Sequence, residues 1–80
     1  MNNVGYALLA KNKVQDAIKI FALLVSEFPK FPNPYDSLGE AYFINKEYES
    51  AIKNYKISLE LNPKNTAAAE MIAKIEKLIQ

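Results

Sequence analysis

Asp36 and Glu40 stand four residues apart and Glu47 and Glu49 two apart, and these are the pairs whose type and spacing could do chemistry. At i, i+4 on a helix, two carboxylates share one face. Such a pair can serve a retaining glycosidase, or hold a hard cation through oxygen. The commoner state of the same spacing is a solvated, mildly repulsive surface pair, and that is the reading adopted. The rest of the chain adds little reactive material. Histidine and cysteine are both absent, so Ser–His and Cys–His nucleophiles cannot be assembled, nor can imidazole or thiolate metal sites. Gly5 and Gly39 are the only glycines, which excludes a glycine-rich phosphate loop. The chain reads as non-catalytic, with no cofactor and no metal.

The elements that would position these side chains must come from one small domain. The chain has 80 residues, half of them apolar, enough for a core but close to the size where one core becomes marginal. Ten lysines against nine carboxylates give a net charge of +1, and there is no arginine. Arginine supplies the bidentate contacts to guanine edges and phosphates, so its absence argues against a nucleic-acid partner. The longest apolar run, Ile20 to Val25, is far short of a membrane span of roughly 20 residues. No basic segment followed by a long apolar stretch opens the chain, so no secretion signal is visible and no compartment is assigned.

The second half repeats the first at an offset of 34 residues: Gly39 follows Gly5, Ala51-Ile52-Lys53 follows Ala17-Ile18-Lys19, and Pro63-Lys64 follows Pro29-Lys30. A period of that length implies stacked supersecondary units, none able to bury its apolar face alone. The apolar spacing is helical nearly throughout. Val4, Leu8 and Leu9 mark a first helix over residues 2–11, and Val14, Ala17, Ile18, Phe21, Leu24 and Val25 a second. Pro29, Pro32 and Pro34 interrupt the chain, with Asn33 expected to cap the third helix and Pro34 to open it. Tyr35, Leu38, Tyr42 and Phe43 line that helix. Tyr48, Ala51, Ile52, Tyr55 and Leu59 line the fourth, and Ile72, Ile75 and Ile79 a fifth capped by Asn65 or Thr66. The joints at Lys11–Lys13 and Asn45–Glu47 are short enough to force antiparallel neighbours, with Asn12 and Asn45 suited to a positive φ. No strand is required.

The second unit reads Tyr35-x2-Leu38-Gly39-x2-Tyr42, then Ala51-x3-Tyr55, then Pro63. The first reads Met1-x2-Val4-Gly5-x2-Leu8, then Ala17-x3-Phe21, then Pro29. This pattern resembles the tetratricopeptide repeat (TPR) family. The resemblance covers nearly the whole chain and implies an all-α fold: antiparallel helix-turn-helix pairs stacked as a short right-handed α-solenoid of five helices. The units are a first repeat over 1–31 that begins part-way into its first helix, a second over 32–65, and a capping helix over 66–80. In the last, Ala69, Ala73 and Glu76 stand where Tyr35, Gly39 and Tyr42 stood, as suits a solvated end. The C-terminus reads as natural and the N-terminus as cut or exposed. In wording, Tyr35 to Tyr42 and Leu59 to Asn65 are similar to short TPR tails on secreted or periplasmic bacterial serine hydrolases.

The resemblance implies protein–protein contact through a concave groove lined by the first helix of each unit. Its candidates here are Asn2, Tyr6, Leu9, Asp36, Glu40, Phe43, Glu70, Lys74 and Lys77. One subset of the family clamps a partner's C-terminal carboxylate with Lys, Arg and Asn. Only Asn2 and Lys74 resemble that set, and Asp36, Glu40 and Glu70 would repel the ligand, so a carboxylate-clamp chaperone tail is not expected. A basic or neutral peptide with an apolar anchor suits the acidic groove better. A second surface competes with it: Ile20, Leu23 and Ile57, with Asn54 equivalent to Ile20, are expected to face outward and could dock another domain or a second copy. Three roles follow: a module within a longer bacterial polypeptide that binds a peptide or partner domain, an accessory tail of a bacterial hydrolase docking in cis, or a self-association module.

Overall fold

The computed structural model describes residues 13–79 and is all-α over that range. Four helices follow one another: α1 (Val14–Glu27), α2 (Pro32–Ile44), α3 (Tyr48–Leu61) and α4 (Thr66–Leu78). They take the places of the second to fifth helices expected from the sequence. The first, over residues 2–11, lies outside the described residues.

Each described helix packs chiefly on its neighbours in sequence. Gly39 and Tyr55, each about two turns from the joint between α2 and α3, meet across the crossing, as antiparallel helices require. A Cβ built on Gly39 would lie 3.1 Å from the Tyr55 ring. Glycine therefore sets how closely α2 and α3 approach. Around this crossing lie two apolar clusters. Ala17 and Phe21 of α1 meet Leu38 and Ala41 of α2, while Ala51 and Tyr55 of α3 meet Ala68 and Ile75 of α4. Tyr42 packs against both clusters and joins them.

Packing has to hold these helices, because their ends are weakly tied. Among the four, only α4 has a side-chain cap: Asn65 accepts from the Ala68 N–H. At α2 the sequence expectation needs correction. The helix starts at Pro32 with Phe31 as N-cap and no side-chain cap bond, so Asn33 and Pro34 lie inside its first turn. Proline is tolerated there because first-turn N–H groups have no intrahelical partner. The preceding turn is anchored by Tyr35, whose hydroxyl donates to the Pro29 carbonyl at 2.9 Å.

The joint between α2 and α3 also departs from expectation. Asn45 sits at φ −82°, and the residue at positive φ is Lys46, at 63°. Hydrogen bonds explain the shift: Lys46 N–H donates to the Phe43 carbonyl at 3.0 Å and Glu47 N–H to that of Tyr42 at 2.9 Å. This paired closure requires the left-handed residue one position beyond the C-cap, whichever residue stands there. Asn45 instead donates its amide to Glu47 Oε2 at 2.7 Å. A lysine in this conformation carries a steric cost that glycine avoids, partly offset by the greater freedom of glycine in the unfolded chain. Lys46→Gly is therefore expected to stabilise the fold by about 0.5–1 kcal/mol. A urea titration should show a higher midpoint at unchanged slope; a lower midpoint would remove the argument.

Candidate functional site

The helix crossing that buries Tyr55 also opens a groove beside it. The α2 helix contributes Asp36, Glu40, Phe43 and Ile44, and α4 contributes Ala67, Ala68, Met71 and Lys74, with Tyr55 of α3 between them. The space enclosed is about 460 Å³, room for a few side chains of a partner segment. Asp36, Glu40 and Phe43 fall on one side of α2 because their spacing of four and three residues matches the helical turn. Met71 and Lys74 are likewise three apart on α4.

Polar contacts hold the two walls together. Asn65, at the start of α4, donates one amide hydrogen to Asp36 Oδ2 at 2.9 Å and the other to Ser58 Oγ at 2.9 Å. Asp36 Oδ1 is buried and has no hydrogen-bond partner among the described residues. Across the groove, the Lys74 ammonium lies 5.6 Å from the centroid of the Phe43 ring. Phe43 in turn packs on Tyr48, with ring centroids 5.9 Å apart and planes tilted by 53°. Asp36, Glu40 and Phe43 are all half-buried, and Lys74 is exposed.

Of the groove candidates, Asp36, Glu40, Phe43 and Lys74 come together in this one site. Glu70 and Lys77 border a separate shallow depression on α4, with Ala73 and Leu78, that shares only Lys74 with the groove. Asn2, Tyr6 and Leu9 lie outside the described residues. Ile44, Met71 and Asn65 were not anticipated in the site. Ile44 follows Glu40 by one helical turn and could have been found by that count; Asn65 reaches Asp36 over 29 residues, and no local pattern announces it.

The outer face is less open than the spacing suggested. Leu23 is 59% exposed, but Ile20 and Ile57 are half-buried. Asn54, expected outward, is buried and donates to the Ser50 carbonyl at 2.8 Å. Phe31, 58% exposed, packs on Phe28 at a ring-centroid distance of 5.8 Å. Among the described residues no three carboxylates cluster as a metal site would require, and no helix is long and apolar enough to cross a membrane.

Comparison with known proteins agrees with this architecture. Over 74 residues the chain is 34% identical to Superkiller complex protein 3 of Mus musculus, a match covering 92% of this chain and 5% of that protein. The chain thus spans about one-twentieth of the length of that curated relative. Residues 37–65, which take in most of α2, all of α3 and the Asn65 cap, match the tetratricopeptide repeat profile. With the Gly39–Tyr55 crossing in place inside the matched segment, the chain belongs to the tetratricopeptide repeat family.

Proposed function

We propose that this chain is a non-catalytic interaction module that takes a peptide or partner-protein segment in the groove between α2 and α4. TPR repeats generally mediate protein–protein contact. The observation that carries the reading to this site is the meeting of a half-buried aromatic ring, Phe43, with Ile44, Met71 and two carboxylates in one open groove. Apolar anchors seated beside a few polar groups are how such surfaces gain affinity. The α4 helix serves as a cap to the second unit, a role supported by the exposure of Ala69, Ala73 and Glu76.

Phe43→Ala tests this. The 80-residue chain would be used to select binders from a random nonapeptide library, and the selected peptides titrated against both proteins. The variant is expected to lose affinity by about tenfold or more, as truncation of an aromatic anchor does, while its circular dichroism stays that of the parent. Undiminished affinity would move the binding surface away from the groove. The exposed Leu23 and Phe31 would then favour docking in cis, as an accessory tail of a bacterial hydrolase, or on a second copy.

A further inference from the structure

Resting on the groove reading above, we infer that the segment taken by this groove carries a basic side chain, which replaces Lys74 over the Phe43 ring. Lys74 is then the residue that sets the specificity of the groove. Three observations converge on this. The groove already holds a cation against its aromatic ring, and it is the protein's own: Lys74 Nζ stands 5.6 Å from the Phe43 centroid. The site is therefore built to receive positive charge over that ring. Second, among the described residues Lys74 forms no ion pair with either carboxylate of the groove, and its ammonium is held against the ring alone. An exposed ammonium held only by a ring is weakly held and strongly hydrated, and so is readily displaced.

Third, negative charge in the groove is left unneutralised, and one carboxylate is free to take an incoming cation. Glu40 makes no hydrogen bond or ion pair among the described residues, while Asp36 beside it accepts from Asn65 through Oδ2 and keeps Oδ1 buried, with no ion pair among the described residues. Their spacing places them on one face of α2, where a shared cation relieves the repulsion between them. An arginine fits better than a lysine, since its planar fork can meet a carboxylate and stack on an aromatic ring at once, and it is less strongly hydrated. An anionic segment would meet Lys74 and Lys77 on α4, but only by passing two carboxylates that face the same groove.

The test is the sign of the effect of Lys74→Gln, because the two ligand classes move in opposite directions. Nonapeptides would be selected from a random library on the 80-residue chain, keeping those that lose binding to Phe43→Ala. Expected is enrichment of Arg or Lys at one register, with about tenfold loss when that residue is changed to Glu. Lys74→Gln should raise affinity for the basic peptide about threefold to tenfold, because a like charge and a competitor for the ring are both removed. Glu40→Gln should lower it, and added salt should shrink both effects. Phe43-dependent peptides enriched in Asp or Glu, or without charge preference, or bound more weakly after Lys74→Gln, would overturn the inference and leave the groove reading standing. If no Phe43-dependent peptide emerges, both fall.

Discussion

Phe21→Ala is expected to remove most of the stability of the chain at 25 °C. The Phe21 side chain is completely buried. It lies in one cluster with Ala17, Leu38 and Ala41, against which Val14, Ile18, Leu24, Val25 and Tyr42 also pack. Truncating a buried phenylalanine costs about 3–5 kcal/mol, from lost transfer energy and the cavity left behind. A chain this short has a stability of only about 4–12 kcal/mol, with small cores toward the lower figure. Side-chain caps cannot compensate, since α1 and α2 both begin without one. Leu23→Ala is the control. That residue is two positions along the same helix but 59% exposed, and its loss should cost about 0.5 kcal/mol or less. Helical circular dichroism followed through a urea titration separates the two. A Phe21→Ala transition within about 1 kcal/mol of the parent would show that the joint between α1 and α2 lies outside the cooperative core.

What could be read in the sequence was whatever depends on apolar spacing. Ala17, Phe21, Leu38, Ala51, Tyr55 and Ile75 were placed on inward faces by their periodicity, and all six are buried. Gly39, which the repeat pairs with Gly5, proves to be a point of close approach, with the Tyr55 ring against it. The polar part of the core was not legible. Ser37, Asn54 and Ser58 are all buried, yet by type each reads as a surface residue. Asn54 is satisfied by the Ser50 carbonyl, and Ser58 by an amide from the next helix. Such burial depends on a partner elsewhere in the fold and leaves no trace in a hydropathy pattern.

The turn at Lys46 escaped for a similar reason. The count of hydrogen bonds that closes α2 fixes which position turns left-handed, and local preference for asparagine has no vote in it. The groove was legible in part. Helical spacing puts Asp36, Glu40 and Phe43 on one face of α2, but nothing local says that Lys74 reaches across to Phe43. The family's stacking geometry put both on the groove side, together with Glu70 and Lys77, which border a neighbouring depression on α4 that shares Lys74 with the groove.

Repetition itself misleads at one position, and the second large effect follows from it. The 34-residue offset equates Phe31 with Asn65 and Leu24 with Ser58, so an apolar joint before α2 corresponds to a polar one before α4. At the polar joint a single amide does three things. The Asn65 carbonyl oxygen accepts from Ala68 N–H at 3.3 Å, and its two amide hydrogens go to Asp36 and Ser58. Ser58 is fully buried, and the second Asp36 oxygen is buried with no partner among the described residues. Without the amide, Asp36 Oδ2 loses its hydrogen bond from Asn65, and the fully buried Ser58 hydroxyl loses a donor that water does not readily replace.

Asn65→Ala should therefore cost about 2–4 kcal/mol, of which the cap alone accounts for about 1 kcal/mol. Asn65→Asp divides the two contributions. It keeps an acceptor for Ala68 N–H and ranks among the better N-cap residues, but it donates nothing and places a second carboxylate against Asp36. The Asp variant is expected to be no more stable than the Ala variant in a urea titration at pH 7. Recovery of most of the lost stability by Asp would mean that Asn65 acts through the cap, and that its tie between α2 and α3 contributes little. If the Asp and Ala variants fall together, the tie is what positions Asp36 in the groove.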